Sequence, residues 1–333
     1  MNTAFRSMVF EKDRSVLRAY VLVLLINLVS VSLLDGFGII FPTVAPFYWP
    51  ALLVGGFIFG VGMVLAGGCT SGTWYRAGKG MLGSVMALMG FALGAAAMEM
   101  GVLQPLQQAL RGPVWDVYGQ APTLANVLPD GAQWVRWLVL AALVCVGAVW
   151  LLRSPQQRFV IGWTWRKTGL VVGVLAVLAW VASGLTFRDY GLSFTQPTVS
   201  IVSWLMVGDV GGINWGTFLV LGVPVGAFLA AKLHGEFALK VPAPGRMVQQ
   251  LGGGVVMGLG ASLAGGCNIG HGITGISALS ISSIVATAAT ILGVWLATWL
   301  VYSAAARQQA SAAGAESMAS VGGPPGGTGG RSA

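Results

Sequence analysis

Residues 55–69 read GGFIFGVGMVLAGGC, and residues 253–267 read GGVVMGLGASLAGGC. Nine of the fifteen positions are identical in one register: both opening glycines, the G-x-G and the whole LAGGC ending. A further glycine follows three residues on in each copy, at Gly72 and Gly270. Two of the chain's three cysteines, Cys69 and Cys267, therefore stand at equivalent points, each directly after two glycines. A duplicated apolar segment, broken by glycine and tipped with polar residues, is how membrane transporters build a substrate site at a repeat interface.

Composition sets the solvent. Charged residues are 8% and hydrophobic residues 56% of the 333, whereas soluble domains carry roughly a quarter charged. So few charges cannot cover a soluble surface, and apolar runs of about twenty residues read as membrane spans. The 50 glycines suit close helix approach, as in Gly56-x-x-x-Gly60 and Gly254-x-x-x-Gly258, and permit non-helical breaks. The net charge of +8 is scattered through short loops, which is a topology signal and not a nucleic-acid face. Three cysteines with no C-x-x-C pair give neither a disulfide framework nor a zinc-finger spacing. Arg6, Lys12, Arg14 and Arg18 precede the first apolar run without a small-residue cleavage site, so that run reads as a retained helix.

Apolar segments fall at about 19–34, 49–67, 81–102, 135–152, 168–186, 199–207, 217–231, 248–266 and 280–302. The segment at 199–207 is too short for a core of about 30 Å and reads as re-entrant, extended by residues 191–197. The amino terminus, residues 153–167 and residues 232–246 are basic and are assigned to the cytoplasm, with residues 35–48 and 188–197 outside. The first copy then runs outside to inside and the second inside to outside. The expected fold is all-α: a polytopic transmembrane helical bundle with an inverted internal repeat and short re-entrant helices. Residues 1–18 read as a cytoplasmic segment and 19–302 as the transporter domain, with repeats at about 49–104 and 248–302. Residues 303–333, rich in Ala, Gly, Ser and Pro, read as a disordered tail. Residues 104–133 form the longest polar connection and read as an outside cap or amphipathic surface segment.

The tips carry the candidate site. Thr70, Ser71, Gly72 and Thr73 follow Cys69; Asn268, Ile269, Gly270 and His271 follow Cys267. Irregular backbone at membrane depth is tolerated only against protein or a water-filled cavity. A helix that stops at Gly67-Gly68 or Gly265-Gly266 and then restarts aims unpaired N–H groups and the positive end of a half-helix at the break, which favours an anion. A free thiol with the ordinary pKa of about 8.5 is mostly un-ionised at pH 7. A neutral S–H does not repel anions, and soft sulfur suits a sulfur atom better than a hard oxyanion. The expected substrate-binding residues are Cys69, Cys267, Thr70, Ser71, Gly68, Gly266, Asn268 and His271.

Other features take plainer readings. Cys145, in VLAALVCVGAVW, reads as apolar packing. His271 and the two thiols make a metal site conceivable, but Thr73 holds the matching place and no acidic residue is near, so no metal and no cofactor are expected. Arg76 and Lys79 read as loop charge or as residues steering the anion to the exit. Glu99 reads either as a buried partner or proton relay, or as reaching the interface.

The stretches LAGGCTSGTWYRAGKG, LAGGCNIGHG and NWGTFLVLGVPVGAFLAAKLHGEF resemble the YeeE/YedE sulfur-transport family of bacterial membrane proteins, over about 49–302. The resemblance implies an hourglass-shaped inner-membrane permease whose central cysteines, here Cys69 and Cys267, pass thiosulfate inward through S–H···S contacts. It implies a cytoplasmic sulfur carrier protein as partner. The thiosulfate permeases of the family also use a cysteine ahead of the first motif. This chain has none before Cys69, which leaves thiosulfate, sulfite, sulfide and selenium analogues open. Rival readings are a thiol–disulfide oxidoreductase using the two cysteines and a Cys/His metal transporter.

Overall fold

A computed structural model describes residues 2–10, 14–117, 119–124, 126, 133–153 and 163–321. The elements formed by the described residues are helices: α1 (Asn2–Arg6), α2 (Ser15–Gly36), α3 (Trp49–Leu65), α4 (Thr70–Gly78), α5 (Leu82–Glu99) and α6 (Gln104–Arg111) come first. They are followed by α7 (Gln133–Leu152), α8 (Trp165–Gly184), α9 (Thr195–Val207), α10 (Trp215–Leu233), α11 (Pro244–Ala264), a π-helical turn (Gly270–Gly275) and α12 (Ile281–Val321). Among the described residues, eight helical stretches are long and apolar enough to cross a membrane; one of them, Trp49–Gly78, contains α3, the first glycine break and α4. At 13 residues, α9 rises about 20 Å at 1.5 Å per residue, short of a bilayer core. The segment expected as a disordered tail begins as helix instead. Its stretch SAAARQQASAAGAESMASV continues α12 to Val321, and alanine is the strongest helix former. Residues 322–333 lie outside the described residues.

Glycine sets how the central helices pack. On α3 and α11, a Cβ at Gly55 would lie 2.5 Å from the Ala264 nitrogen, one at Gly62 would lie 2.4 Å from that of Met257, and one at Gly253 would lie 2.3 Å from that of Ala66. Partners fall along α11 as they rise along α3, so the two helices are antiparallel. The contacts come in matched pairs. Gly62 meets Met257 as Gly260 meets Phe59, and Gly55 meets Ala264 as Gly253 meets Ala66. The flanks match too: Gly56 and Gly60 of α3 face the carbonyls of Ala286 and Thr290 on α12, while Gly254 and Gly258 of α11 face those of Ala87 and Phe91 on α5. Without a hydrophobic drive between helices in lipid, close backbone approach of this kind supplies the packing energy. Outside this core, α8 lays Gly169 and Gly173 on Leu22 and Ile26 of α2.

The connecting segments sort to two ends. Thr43 donates its N–H to the Asp189 carbonyl at 2.8 Å, joining the two loops expected outside, and Trp115 pairs with Phe47 beside them. At the other end, Leu82 donates to the Lys240 carbonyl at 3.1 Å and Lys79 pairs with Glu236 at 2.7 Å. There α1 tucks inward: Ala4, Phe5 and Ser7 are buried, and the Trp295 indole N–H donates to the Phe5 carbonyl at 3.0 Å.

Candidate functional site

Each LAGGC run breaks its helix in the same way. α3 ends at Leu65 and α11 at Ala264; Gly67 (φ +78°) and Gly265 (φ +82°), equivalent in the two copies, take the left-handed conformation that side chains disfavour. The chain then turns back into helix. Thr73 N–H donates to the Cys69 carbonyl at 2.9 Å and His271 N–H to the Cys267 carbonyl at 2.8 Å, again at equivalent positions. In each copy the three N–H groups after the cysteine have no intrahelical acceptor.

Cys69 is the N-cap of α4, in extended conformation, with Sγ 3.4 Å from the Ser71 hydroxyl. A Cβ at Gly72 would come 3.4 Å from that sulfur, so glycine keeps the face over the thiol open. Thr70 is buried and donates to Met257 Sδ at 3.8 Å; Thr73 hydroxyl donates to the Cys69 carbonyl at 2.8 Å. Cys267 and Asn268 are buried on the other tip. The two thiols belong to one buried cluster with Phe5, Met63, Phe194 and Met257, against which Trp74, Tyr20 and Ile269 pack. Within that neighbourhood the Asn268 Nδ2 and Oδ1 and the Trp74 indole N–H are buried with no hydrogen-bond partner among the described residues.

The π-helical turn is held from outside. Tyr190 hydroxyl donates to the Gly270 carbonyl at 3.0 Å, Tyr20 hydroxyl to that of Gly272 at 2.6 Å, and Thr274 hydroxyl to that of Leu192 at 2.7 Å. π-helical turns are uncommon and recur at functional sites. His271 has both ring nitrogens engaged. Nε2 faces the Ala264 carbonyl at 3.1 Å, so it carries the hydrogen, and Nδ1 accepts from the Ser283 hydroxyl at 3.1 Å. The imidazole braces the end of α11 against α12 and offers no lone pair to a ligand. Gly266 packs on that ring, where a Cβ would sit 3.0 Å from Nε2.

Arg76 does not extend into a loop. Its Nη1 donates to the Gly67 carbonyl at 2.8 Å, and a Cβ at Gly68 would lie 2.1 Å from Nη2. Arg111, which the sequence reading passed over, does the same for the second tip: Nε donates to the Leu263 carbonyl at 3.3 Å and the guanidinium also bonds the Ser262 carbonyl. Gln107 on the same short helix donates to Ser262 as well, at 3.1 Å, and Glu99 stands 3.9 Å from Arg111. Glu99 is thus an ion-pair partner. Lys79 lies beyond α4 in an exposed ion pair with Glu236, whose hydrogen bond raises the ammonium pKa and lowers that of the carboxylate. Cys145, expected in packing, is exposed on the outer face of the bundle, on a span little buried by its neighbours.

The family model described as Sulphur transport matches residues 1–296. The chain is 35% identical to the thiosulfate transporter TsuA of Escherichia coli (strain K12) over 317 residues, covering 90% of this chain and 88% of that protein. It is 32% identical to the thiosulfate transporter TsuA of Spirochaeta thermophila over 313 residues, covering 90% and 92%. Over 78 residues it is 37% identical to the probable transporter YedE of Salmonella typhimurium, 23% of this chain and 20% of that one. The chain belongs to the sulphur transport family, the YeeE/YedE-like group of multi-pass inner-membrane transporters, and is not an enzyme.

Proposed function

We propose that this protein is an uptake permease for thiosulfate, or a closely related small sulfur anion, passed between neutral thiols at Cys69 and Cys267. The observation that carries the reading is the company the thiols keep. Asn268 and Trp74 hold buried, unpartnered polar groups in the neighbourhood of both cysteines. A buried polar group without a partner costs about 1–3 kcal/mol, which a passing anion offsets by accepting from the amide and indole N–H groups. The relatives named thiosulfate transporter at 35% and 32% identity support that substrate.

In this reading the sulfane sulfur of the anion moves from one S–H to the other while the N–H groups of residues 70–72 and 268–270 replace lost water. Each contact is weak enough to release the ion, as conduction requires. No bond is made or broken. Ser71, Thr70, Gly68 and Gly266 shape the passage; His271 braces it. The matched contacts of α3 and α11 and the equivalent left-handed glycines support an inverted repeat, with α4, α9 and the π-helical turn as its re-entrant pieces. Residues 1–18 then face the cytoplasm and 19–302 carry transport. A cytoplasmic sulfur carrier protein takes the delivered sulfur.

Labelled thiosulfate uptake in cells lacking other sulfur importers tests the relay. Cys69→Ala and Cys267→Ala are expected to abolish it and Cys145→Ala to leave it intact. Equal tolerance of all three removes the relay. A reversible Cys69–Cys267 disulfide in native membranes points to an oxidoreductase instead.

A further inference from the structure

A polar cavity of about 280 Å³ opens on the far side of the first glycine tip, lined by Asn2, Arg6, Gly67, Arg246, Gln249 and Thr298 among others. Its walls come from four separate parts of the chain. Asn2 and Arg6 belong to α1, Gly67 to the break before Cys69, Arg246 and Gln249 to the start of α11, and Thr298 to α12. Arg246 donates to Gln249 Oε1 at 3.1 Å, which turns the glutamine so that its amide N–H₂ is left to donate elsewhere. Thr298 is only 2% exposed and its hydroxyl has no partner among the described residues, nor has the Asn2 Oδ1. Among the described residues, no acidic residue lines the cavity.

Two cations, a spare amide donor and an unpartnered buried hydroxyl converging on one small space form an oxyanion receptor, since charge-assisted hydrogen bonds from arginine are the strongest such contacts. Both arginines come from the segments whose basic character assigns them to the cytoplasm, and the wall at Gly67 is two residues from Cys69. We infer that this cavity is a cytoplasmic-side binding site for a small dianionic oxyanion, the station an ion occupies after leaving the Cys69 tip, with α1 as one of its walls. Only its description as a station on the route rests on the permease reading; the binding site stands on its own lining. Two positive charges held together raise the local anion concentration and draw the ion forward.

Accessibility of an introduced thiol tests the site without requiring transport. Val301 also lines the cavity, so Val301→Cys in a Cys145→Ser background is modified by a charged thiol reagent applied to inside-out vesicles. Thiosulfate and sulfate, added separately at constant ionic strength, are expected to slow that modification. Arg246→Gln and Arg6→Gln should each weaken the protection about tenfold, the loss of one charge-assisted contact, while Arg246→Lys retains part of it. Chloride at the same strength should protect far less. Absence of protection by either anion, or protection unchanged in both arginine variants, overturns the site. Adding Cys69→Ala separates the two proposals: uptake that persists without Cys69 defeats the relay and leaves cavity protection as it was.

Discussion

Arg76 donates from Nη1 to the Gly67 carbonyl at 2.8 Å, reaching nine residues back along the chain to close the first glycine tip. Arg111 closes the second through the Ser262 and Leu263 carbonyls. A helix that stops inside the membrane leaves carbonyls that water cannot reach, and each needs a donor. Arginine supplies several donors in a rigid fork, which lysine does not. Arg76→Gln is expected to lower the stability of the detergent-purified protein by about 1.5–3 kcal/mol, the worth of a hydrogen bond to a charged group. Uptake should fall in parallel, and Arg76→Lys should rescue little of either. Arg111→Lys should behave likewise. Thermal unfolding and uptake measured on the same variants check this; wild-type values for both lysine variants would show the cations to be ordinary loop charge.

The glycine contacts between α3 and α11 predict paired phenotypes. An alanine at Gly62 drives its Cβ into the Met257 backbone at 2.4 Å, and one at Gly260 drives it into Phe59 at 2.3 Å. Overpacking of this kind costs about 1–3 kcal/mol. Gly62→Ala and Gly260→Ala should therefore destabilise by similar amounts, because their surroundings are related. Gly222→Ala on α10 meets nothing within 4 Å and should be neutral, or stabilising by about 0.5–1 kcal/mol from reduced chain entropy. Unfolding in denaturing detergent distinguishes the three. A neutral Gly62→Ala would contradict the close approach.

Much of this was legible in the sequence, for a physical reason. LAGGC repeated in register marks both helix breaks, because only glycine takes the left-handed conformation at Gly67 and Gly265 without strain. The shortness of α9 followed from counting residues against bilayer thickness. What sequence did not reveal is what lies far apart in the chain. Arg111 sits in a polar connection with nothing to mark it for Ser262, 151 residues on. Phe5 joins the cysteine cluster from the amino terminus, held by Trp295 at 290 residues' separation. The π-helical turn depends on the hydroxyls of Tyr20 and Tyr190, which arrive from α2 and the loop before α9. His271 was expected among the residues of the tip, but spacing alone does not show that Ser283 and Ala264 engage both its nitrogens.

That occupancy gives a prediction of its own. His271→Ala leaves the Ala264 carbonyl and the Ser283 hydroxyl without these contacts, at about 1–3 kcal/mol for each buried group left unpaired. The variant should melt earlier, while zinc and copper measured in purified protein stay the same as in the native chain. Stoichiometric metal in the native protein that disappears with His271→Ala would reinstate the metal-transporter reading.

The ion pair between Lys79 and Glu236 ties the end of α4 to the loop before α11. Glu236 has its pKa lowered, so its contribution is present above the unfolded value of about 4.3 and is lost as pH falls through the folded one. Lys79 has its pKa raised, so its contribution is present below the unfolded value of about 10.4 and is lost as pH rises through the folded one. The tie is therefore complete from about pH 5 to pH 10. Being exposed, it is also screened by salt. A double-mutant cycle with Lys79→Ala and Glu236→Ala should show a small coupling at pH 7 that weakens as acid protonates the carboxylate and is screened away in 1 M salt, with uptake changed little. Retention of the coupling in high salt would mean the pair is held by packing and not by charge.

Neutral thiols are the chemical premise of the relay, and the protein tests them at different stringency. Cys69 caps the first turn of α4 beside the Ser71 hydroxyl and near the Arg76 guanidinium, whereas Cys267 sits next to the unpartnered amide of Asn268. Only a thiolate reacts with alkylating reagents, so reaction rate against pH reads each group's ionisation directly. With single-cysteine variants in a Cys145→Ser background, thiosulfate should slow alkylation at each site. Removing the amide by Asn268→Ala should weaken thiosulfate protection at Cys267 about tenfold, the loss of a hydrogen bond to a charged ligand. A rate at Cys69 already level at pH 6 would mean that this sulfur is an anion at working pH. It would then repel the substrate it is proposed to carry, leaving the amide and indole donors as the selective elements.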